Sequence, residues 1–291
     1  MVSKELEYFR AIIQANMEPL AKVTQVSPMP SLEKKLGNKI WLKREDQQPV
    51  YSFKLRGAFH KLKQLPAQSK VVTASAGNHA QGVALSASFL GHTAKIVMPV
   101  TTPEIKVNAV RDLGGEVILH GHHFDAANSF ALNLAEQEGA VFVPPFDDPD
   151  VIVGQGTIAR ELMQQLPQLD AVFIPVGGGG LLAGMSVYIK SLRPDIKVIG
   201  VESEESACLK AAMEAGKPVE LERVGSFADG VAVKIIGKET FRLAQQFCDE
   251  VVTVTSDEIC AAMQDVFVST RAVAEPSGAL ALAGLKKWCI E

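Results

Sequence analysis

The first two hundred residues contain no cysteine, and the four that follow later, Cys208, Cys248, Cys260 and Cys289, form no C-x-x-C pair. Neither a disulfide framework nor a thiolate metal knuckle is expected; free thiols in a reducing compartment are. The chain also lacks a block of basic charge. Its net charge of −4 is spread over both signs, which argues against a nucleic acid partner. No apolar run is long enough to cross a bilayer. The longest, around 181–192, is broken by Ser186 and Lys190. Residues 1–10 are charged and have no apolar core of the kind a signal peptide carries, so a cytoplasmic chain without membrane contact is expected. There is no fixed-period repeat and no low-complexity tract.

What is present is an ordinary globular composition, 47% hydrophobic and 21% charged over 291 residues. Such a chain can bury a core without metal or disulfide staples and makes one large domain or two. From Val71 onward short β-branched runs alternate with helical stretches. The pattern predicts helices over 78–90, 104–113, 125–138, 156–165, 181–192 and 207–215. Strands are predicted over 71–75, 95–99, 116–120, 141–143, 171–176, 197–201 and 251–255. Ser256 is the expected N-cap of a helix reaching about Ser269, Ser277 that of the last helix, and 221–233 has no clear period. The alternation predicts an α/β fold of two open, twisted, mostly parallel sheets with helices on both faces. The proline-rich break at 144–149 is an expected domain crossing, with Asp147 and Asp148 as turn formers.

Three segments next to predicted strand ends stand out, where ligands of open α/β sheets sit. In Val176-Gly177-Gly178-Gly179-Gly180-Leu181, successive glycines allow backbone N–H groups to turn inward at a helix start. That suits a phosphate better than it suits a mere flexible turn. The same residues hold a rival: Gly178, Gly180 and Ala183 match the dinucleotide fingerprint, with Glu202 where a ribose ligand would stand. Ser75-Ala76-Gly77-Asn78-His79-Ala80-Gln81-Gly82 offers a carboxylate site at a helix start, or an ordinary N-cap by Ser75 or Asn78. The third segment runs from Lys43-Arg44-Glu45-Asp46 to Ser52-Phe53-Lys54-Leu55-Arg56-Gly57-Ala58. A lysine there is by default a solvated charge, although an amine in an apolar pocket can add to a carbonyl.

Together and in this order the three segments resemble the fold type II pyridoxal phosphate enzymes, and among them the biosynthetic threonine dehydratases (threonine ammonia-lyases). The likeness runs from Tyr8 to Lys287. It implies pyridoxal phosphate as cofactor, bonded as an imine by Lys54, which would also take the substrate's α-proton. It implies that Asn78 bonds the cofactor's phenolic oxygen and that Gly177, Gly178, Gly179, Gly180 and Leu181 hold its phosphate. Ser75, Gly77, Asn78 and His79 would line the substrate carboxylate site. The implied reaction is conversion of L-threonine to 2-oxobutanoate and ammonia, and of serine to pyruvate, as the first step of isoleucine biosynthesis. The bound phosphate would be the acid for the departing hydroxyl. A homodimer or homotetramer is implied, with a large cofactor domain over 1–69 and 147–291 and a small mobile domain over 70–146.

Serine racemases of this fold carry a second serine where this chain has Ala76, so the resemblance favours elimination over racemisation. Their cation site pairs a Glu with an Asp six residues on; here Glu202 stands with Cys208, and no metal is expected. His120, His122 and His123 read as solvated loop residues, and Cys208, Cys248 and Cys260 as buried small hydrophobes. The family's S-G-A-N-like serine facing the pyridine nitrogen has no counterpart, and Ser277 is not at that position. Nor is there a counterpart of its regulatory domain. The chain therefore reads as a catalytic part cut short by truncation or natural splitting. A cofactor-binding module with impaired turnover is the alternative.

Overall fold

Short β-branched runs alternate with helices along the chain, and in the computed structural model the strands pair as that alternation demands. The structure describes residues 3–290; Met1, Val2 and Glu291, on which the readings of the two chain ends partly rest, lie outside the described residues. Strands β1 (Val26–Pro28) and β2 (Trp41–Lys43) form an antiparallel pair. Strands β3 (Lys70–Ala74), β4 (Thr93–Met98), β5 (Glu116–Leu119) and β6 (Val141–Phe142) form a parallel sheet of order β5-β4-β3-β6. Strands β7 (Ala171–Pro175), β8 (Lys197–Ser203) and β9 (Glu250–Val254) form a second parallel sheet in that order. The chain divides into two compact units. One holds the N-terminal stretch to Ile13, Thr24–Arg44 and everything from Gly156; the other holds Gln14–Val23 and Glu45–Gln155.

In the second unit the strand period of two is visible in the packing. Val71, Ala94, Ile96 and Met98 face a core made with Ala58 and Leu62, with Val83, Ala84 and Ala87, and with Val107 and Val110. Val72, Ala74 and Val97 point the other way, against Ala127, Ala131 and Ala135 of the helix Phe124–Glu138. Helices therefore cover both faces, as a buried parallel sheet requires. Each fully buried valine or isoleucine contributes about 1.5–3 kcal/mol. In the first unit, Ile199 and Val201 of β8 and Val252 and Val254 of β9 pack with Leu280 and Ala283 of the helix Pro276–Trp288. A Cβ on Gly284 would lie 2.5 Å from the Val201 side chain, so glycine sets how closely that helix crosses the sheet. Among the described residues no helix is long and apolar enough to cross a membrane.

Three helix starts differ from the sequence expectation. Thr255, not Ser256, caps the helix Ser256–Thr270: its hydroxyl accepts from Glu258 N at 3.2 Å, and the Glu258 carboxylate accepts from Thr255 N at 2.7 Å. That reciprocal pair satisfies two end donors at once, which Ser256 could not do, because its own N3 residue would be the apolar Ile259. Glu275 occupies the N-cap of the last helix, because Pro276, lacking an N–H, fits its first turn; Ser277 follows it. The helix expected from residue 156 runs Pro149–Gln165. Gly154 and Gly156 lower its helical signal, while Asp148 Oδ1 accepts from Asp150 N at 2.9 Å and Val151 N at 3.2 Å and so starts it early.

Candidate active site

Lys54 opens the helix Lys54–Lys63, which is buried on nearly every side through Leu55, Arg56, Gly57, Ala58, Phe59, His60 and Leu62. Its neighbour Arg56 is fully buried and reaches both oxygens of Glu45, Nε to Oε2 at 2.8 Å and Nη2 to Oε1 at 2.8 Å. Nη2 also donates to Lys22 O at 3.0 Å, and Gln48 Nε2 donates to the same carbonyl at 2.9 Å. The charged letters of the third motif thus build a frame beneath Lys54 and leave the chemistry to it. Two glycines bring other helices close. A Cβ on Gly82 would lie 3.2 Å from the Lys54 carbonyl, and one on Gly154 would lie 2.4 Å from Arg56 O.

The Lys54 amine donates to Pro145 O at 2.8 Å and lies over the Phe53 ring, 5.6 Å from its centre. No carboxylate pairs with it among the described residues. Part of the side chain remains accessible, yet the protein around the nitrogen strips away enough water to push the amine from 10.5 down to about 8. An amine so poised is partly unprotonated near neutral pH, as a nucleophile or base must be.

The segment after β3 forms the turn into the helix Asn78–Leu90, on the same unit as Lys54. Ser75 Oγ accepts from Gly77 N at 3.3 Å. Gly77 is the N-cap, and no side chain caps the helix. Neither Ser75 nor Asn78 takes the ordinary capping role, so the first-turn N–H groups face outward from the helix end as an anion site needs. Asn78 stands half-buried as the first helical residue. His79 is buried, its Nε2 3.0 Å from Val143 O. A carbonyl only accepts, so Nε2 carries a proton. Burial, followed by the charge of Lys54, pushes this imidazole down to about 3, so the ring is neutral near pH 7.

On the other unit, β7 leads through Val176 into the glycine run and the helix Gly180–Leu192, with Gly179 as N-cap at φ 87°. This left-handed conformation suits glycine alone, since a Cβ there would also lie 3.0 Å from Thr240 Cβ. Gly177 O accepts from Cys208 Sγ at 3.3 Å, and Gly178 O from Thr240 Oγ1 at 2.7 Å. In a trans peptide the N–H points opposite the carbonyl. The N–H groups of Gly178 and Gly179 therefore point away from Cys208 and Thr240, and with Gly180 and Leu181 at the helix start they could take a phosphate. The residue types fit pyridoxal phosphate: a glycine-rich helix start that could take its phosphate and a lysine amine, lowered by burial, that could add to its carbonyl.

Glu202 is fully buried, and its two oxygens accept from Leu209 N at 2.7 Å and Lys210 N at 2.8 Å. It holds the start of the helix Cys208–Ala215, so the dinucleotide reading loses its ribose ligand. Burial pushes Glu202 up to about 7 and the Cys208 thiol up to about 12; of the cysteines expected to be buried, Cys208 is, Cys248 is half-buried and Cys260, on the outer face of its helix, is exposed. Among the described residues no group of three or more His, Cys, Asp or Glu side chains is placed to hold a metal.

A family model of the pyridoxal-phosphate dependent enzymes matches residues 17–290. The chain belongs to that family. It is 60% identical over 288 residues to the L-threonine dehydratase biosynthetic IlvA of Pasteurella multocida, covering 98% of this chain and 56% of that protein. The processed form of threonine deaminase isoform 2 from Solanum lycopersicum is 46% identical, with a TM-score of 0.97 over 99% of this chain and 80% of that one. Maize serine racemase is 31% identical, with a TM-score of 0.93 over 97% of this chain and 88% of that one. The chain spans about half the length of the curated relatives it matches. In this pyridoxal-phosphate dependent enzyme the sequence reading missed Pro145, whose contact with Lys54 is through a carbonyl that no side-chain pattern announces.

Proposed function

We propose that this chain is the catalytic part of a threonine dehydratase, deaminating L-threonine to 2-oxobutanoate and ammonia and serine to pyruvate. The observation that carries this reading is the Lys54 amine, unpaired with a carboxylate among the described residues and lowered to about 8, one helix packing away from a helix start that no side chain caps. Lys54 would bond the cofactor. The nest of Gly177, Gly178, Gly179, Gly180 and Leu181 would hold its phosphate, and Asn78 its phenolic oxygen. When bound, pyridoxal phosphate supplies the electron sink for charge released at the substrate's Cα.

The protein's own part is placement and proton transfer. The helix start at Ser75, Gly77, Asn78 and His79 would take the substrate carboxylate on its backbone N–H groups. Lys54 Nζ would take the α-proton, which a group titrating near 8 can do without leaving the neutral range. The substrate loses that proton and its β-hydroxyl as water, and water later replaces its nitrogen. Ala76 offers no acid or base from the second serine position, which supports elimination over racemisation. The named activity of the Pasteurella relative supports the substrate, and a place at the start of isoleucine synthesis goes with it. A cytoplasmic homodimer or homotetramer completes the reading.

Incubation with threonine tests it: 2-oxobutanoate should accumulate, from serine pyruvate should, and D-serine should not form from L-serine. A cofactor absorption band with no keto acid from either substrate would favour the impaired binding module instead.

A further inference from the structure

The carbonyl that receives the Lys54 amine lies two residues from one that takes two buried donors. Val143 follows β6, and its N–H donates to Val72 O at 2.8 Å. Its carbonyl accepts two buried donors from different elements, Thr73 Oγ1 of β3 at 2.7 Å and His79 Nε2 of the helix Asn78–Leu90 at 3.0 Å. Two residues on, Pro145 O receives the Lys54 amine. Pro144 and Pro145 have no N–H to anchor them, because both are prolines. Their fixed φ angles also make Val143-Pro144-Pro145 a stiff strap, so a shift at Val143 is passed to Pro145 rather than absorbed. Thr73 is fully buried and His79 nearly so.

We propose that Thr73 and His79 are positioning residues for Lys54: by gripping Val143 O they fix the strap, and with it the Pro145 carbonyl on which the uncombined amine rests. This rests on the reading of Lys54 as the cofactor lysine. It gives that lysine a defined seat whenever its nitrogen is free, before the cofactor is bonded and again once the substrate has taken its place. His79 serves because it is neutral. The facing charged group is Lys54 itself, and a protonated imidazole beside it would repel the ammonium. With one hydrogen on Nε2, the ring can hold Val143 while adding no charge. The hydroxyl of Thr73 is neutral for the same purpose.

The test uses the full chain without cofactor, so it does not depend on turnover. Lys54 is acetylated with acetic anhydride over a range of pH, and its rate is read peptide by peptide by mass spectrometry to give its titration. In Thr73→Val, which keeps the shape and removes the hydroxyl, Lys54 should titrate lower by about half a pKa unit, since a loosened acceptor stabilises the ammonium less. In Thr73→Ser the titration should match the parent chain. Should Thr73→Val not fold, His79→Leu and His79→Gln are read the same way: leucine should lower the titration, and glutamine, whose amide can still donate to Val143 O, should preserve it. An unchanged or raised Lys54 titration in the variants that lack the donor overturns the proposal, as does serine behaving like valine. The cofactor reading fails separately, if borohydride reduction in the presence of pyridoxal phosphate leaves Lys54 unlabelled.

Discussion

Around the glycine run the groups that would meet a ligand are backbone N–H groups, turned outward because Cys208 and Thr240 hold the opposite carbonyls. Around Lys54 the decisive groups are side chains on a frame of buried charge: Arg56 on Glu45, His79 and Thr73 on Val143 O, and the amine on Pro145 O. The two regions teach different lessons. A backbone site is specified by what residues lack, so four glycines announce it. A side-chain site depends on desolvation, and an identical lysine on the surface would carry the same letter and none of the chemistry.

Substitutions can break this contrast in order of effect. Lys54→Ala should reduce threonine turnover by about 10³-fold or more, as loss of a covalent anchor and base together implies; steady-state release of 2-oxobutanoate measures it. Glu45→Ala should leave the chemistry's residues in place yet destabilise the fold by about 3 kcal/mol, because it strips the carboxylate from a fully buried Arg56. Urea unfolding reads that loss. Gly179→Ala should cost about 2 kcal/mol, through a left-handed φ and a crowded Cβ, and should weaken pyridoxal phosphate binding in equilibrium dialysis.

A smaller effect separates the regions by pH. Folding lowers Lys54 from 10.5 to about 8. Below pH 8 both folded and unfolded chains hold its proton, and the folded chain bears the full penalty. Between 8 and 10.5 the unfolded chain holds more protons, so stability contributed by this group rises with pH. Cofactor-free Lys54→Met should therefore be more stable than the parent at pH 7, on the order of 2 kcal/mol, and the gain should fade as pH approaches 10.5. Paired denaturation curves at the two pH values check the sign. Least of all, Ala76→Ser should change keto acid release little while introducing slow conversion of L-serine to D-serine, seen by chiral chromatography.

Much of the fold was legible because strands and helices alternate with clean periods, as at β3 and the helix Asn78–Leu90. The helix Lys54–Lys63 was not, because it is buried on most sides and carries Arg56 and His60 inside, leaving no apolar stripe to read. The early turns of Pro149–Gln165 were hidden by a proline break and two glycines that packing requires. In the site, Gly177 to Gly180 could be read from composition alone. Lys54 needed the resemblance to single it out, and the Pro145 carbonyl needed coordinates, since a carbonyl belongs to every residue.

The most direct measurement mixes the purified chain with pyridoxal phosphate, reduces it with borohydride and maps the labelled peptide. The account predicts one phosphopyridoxyl group, on Lys54, with the label lost in Lys54→Ala. A label on another lysine with Lys54 unmodified, or no label on a folded chain, would contradict it.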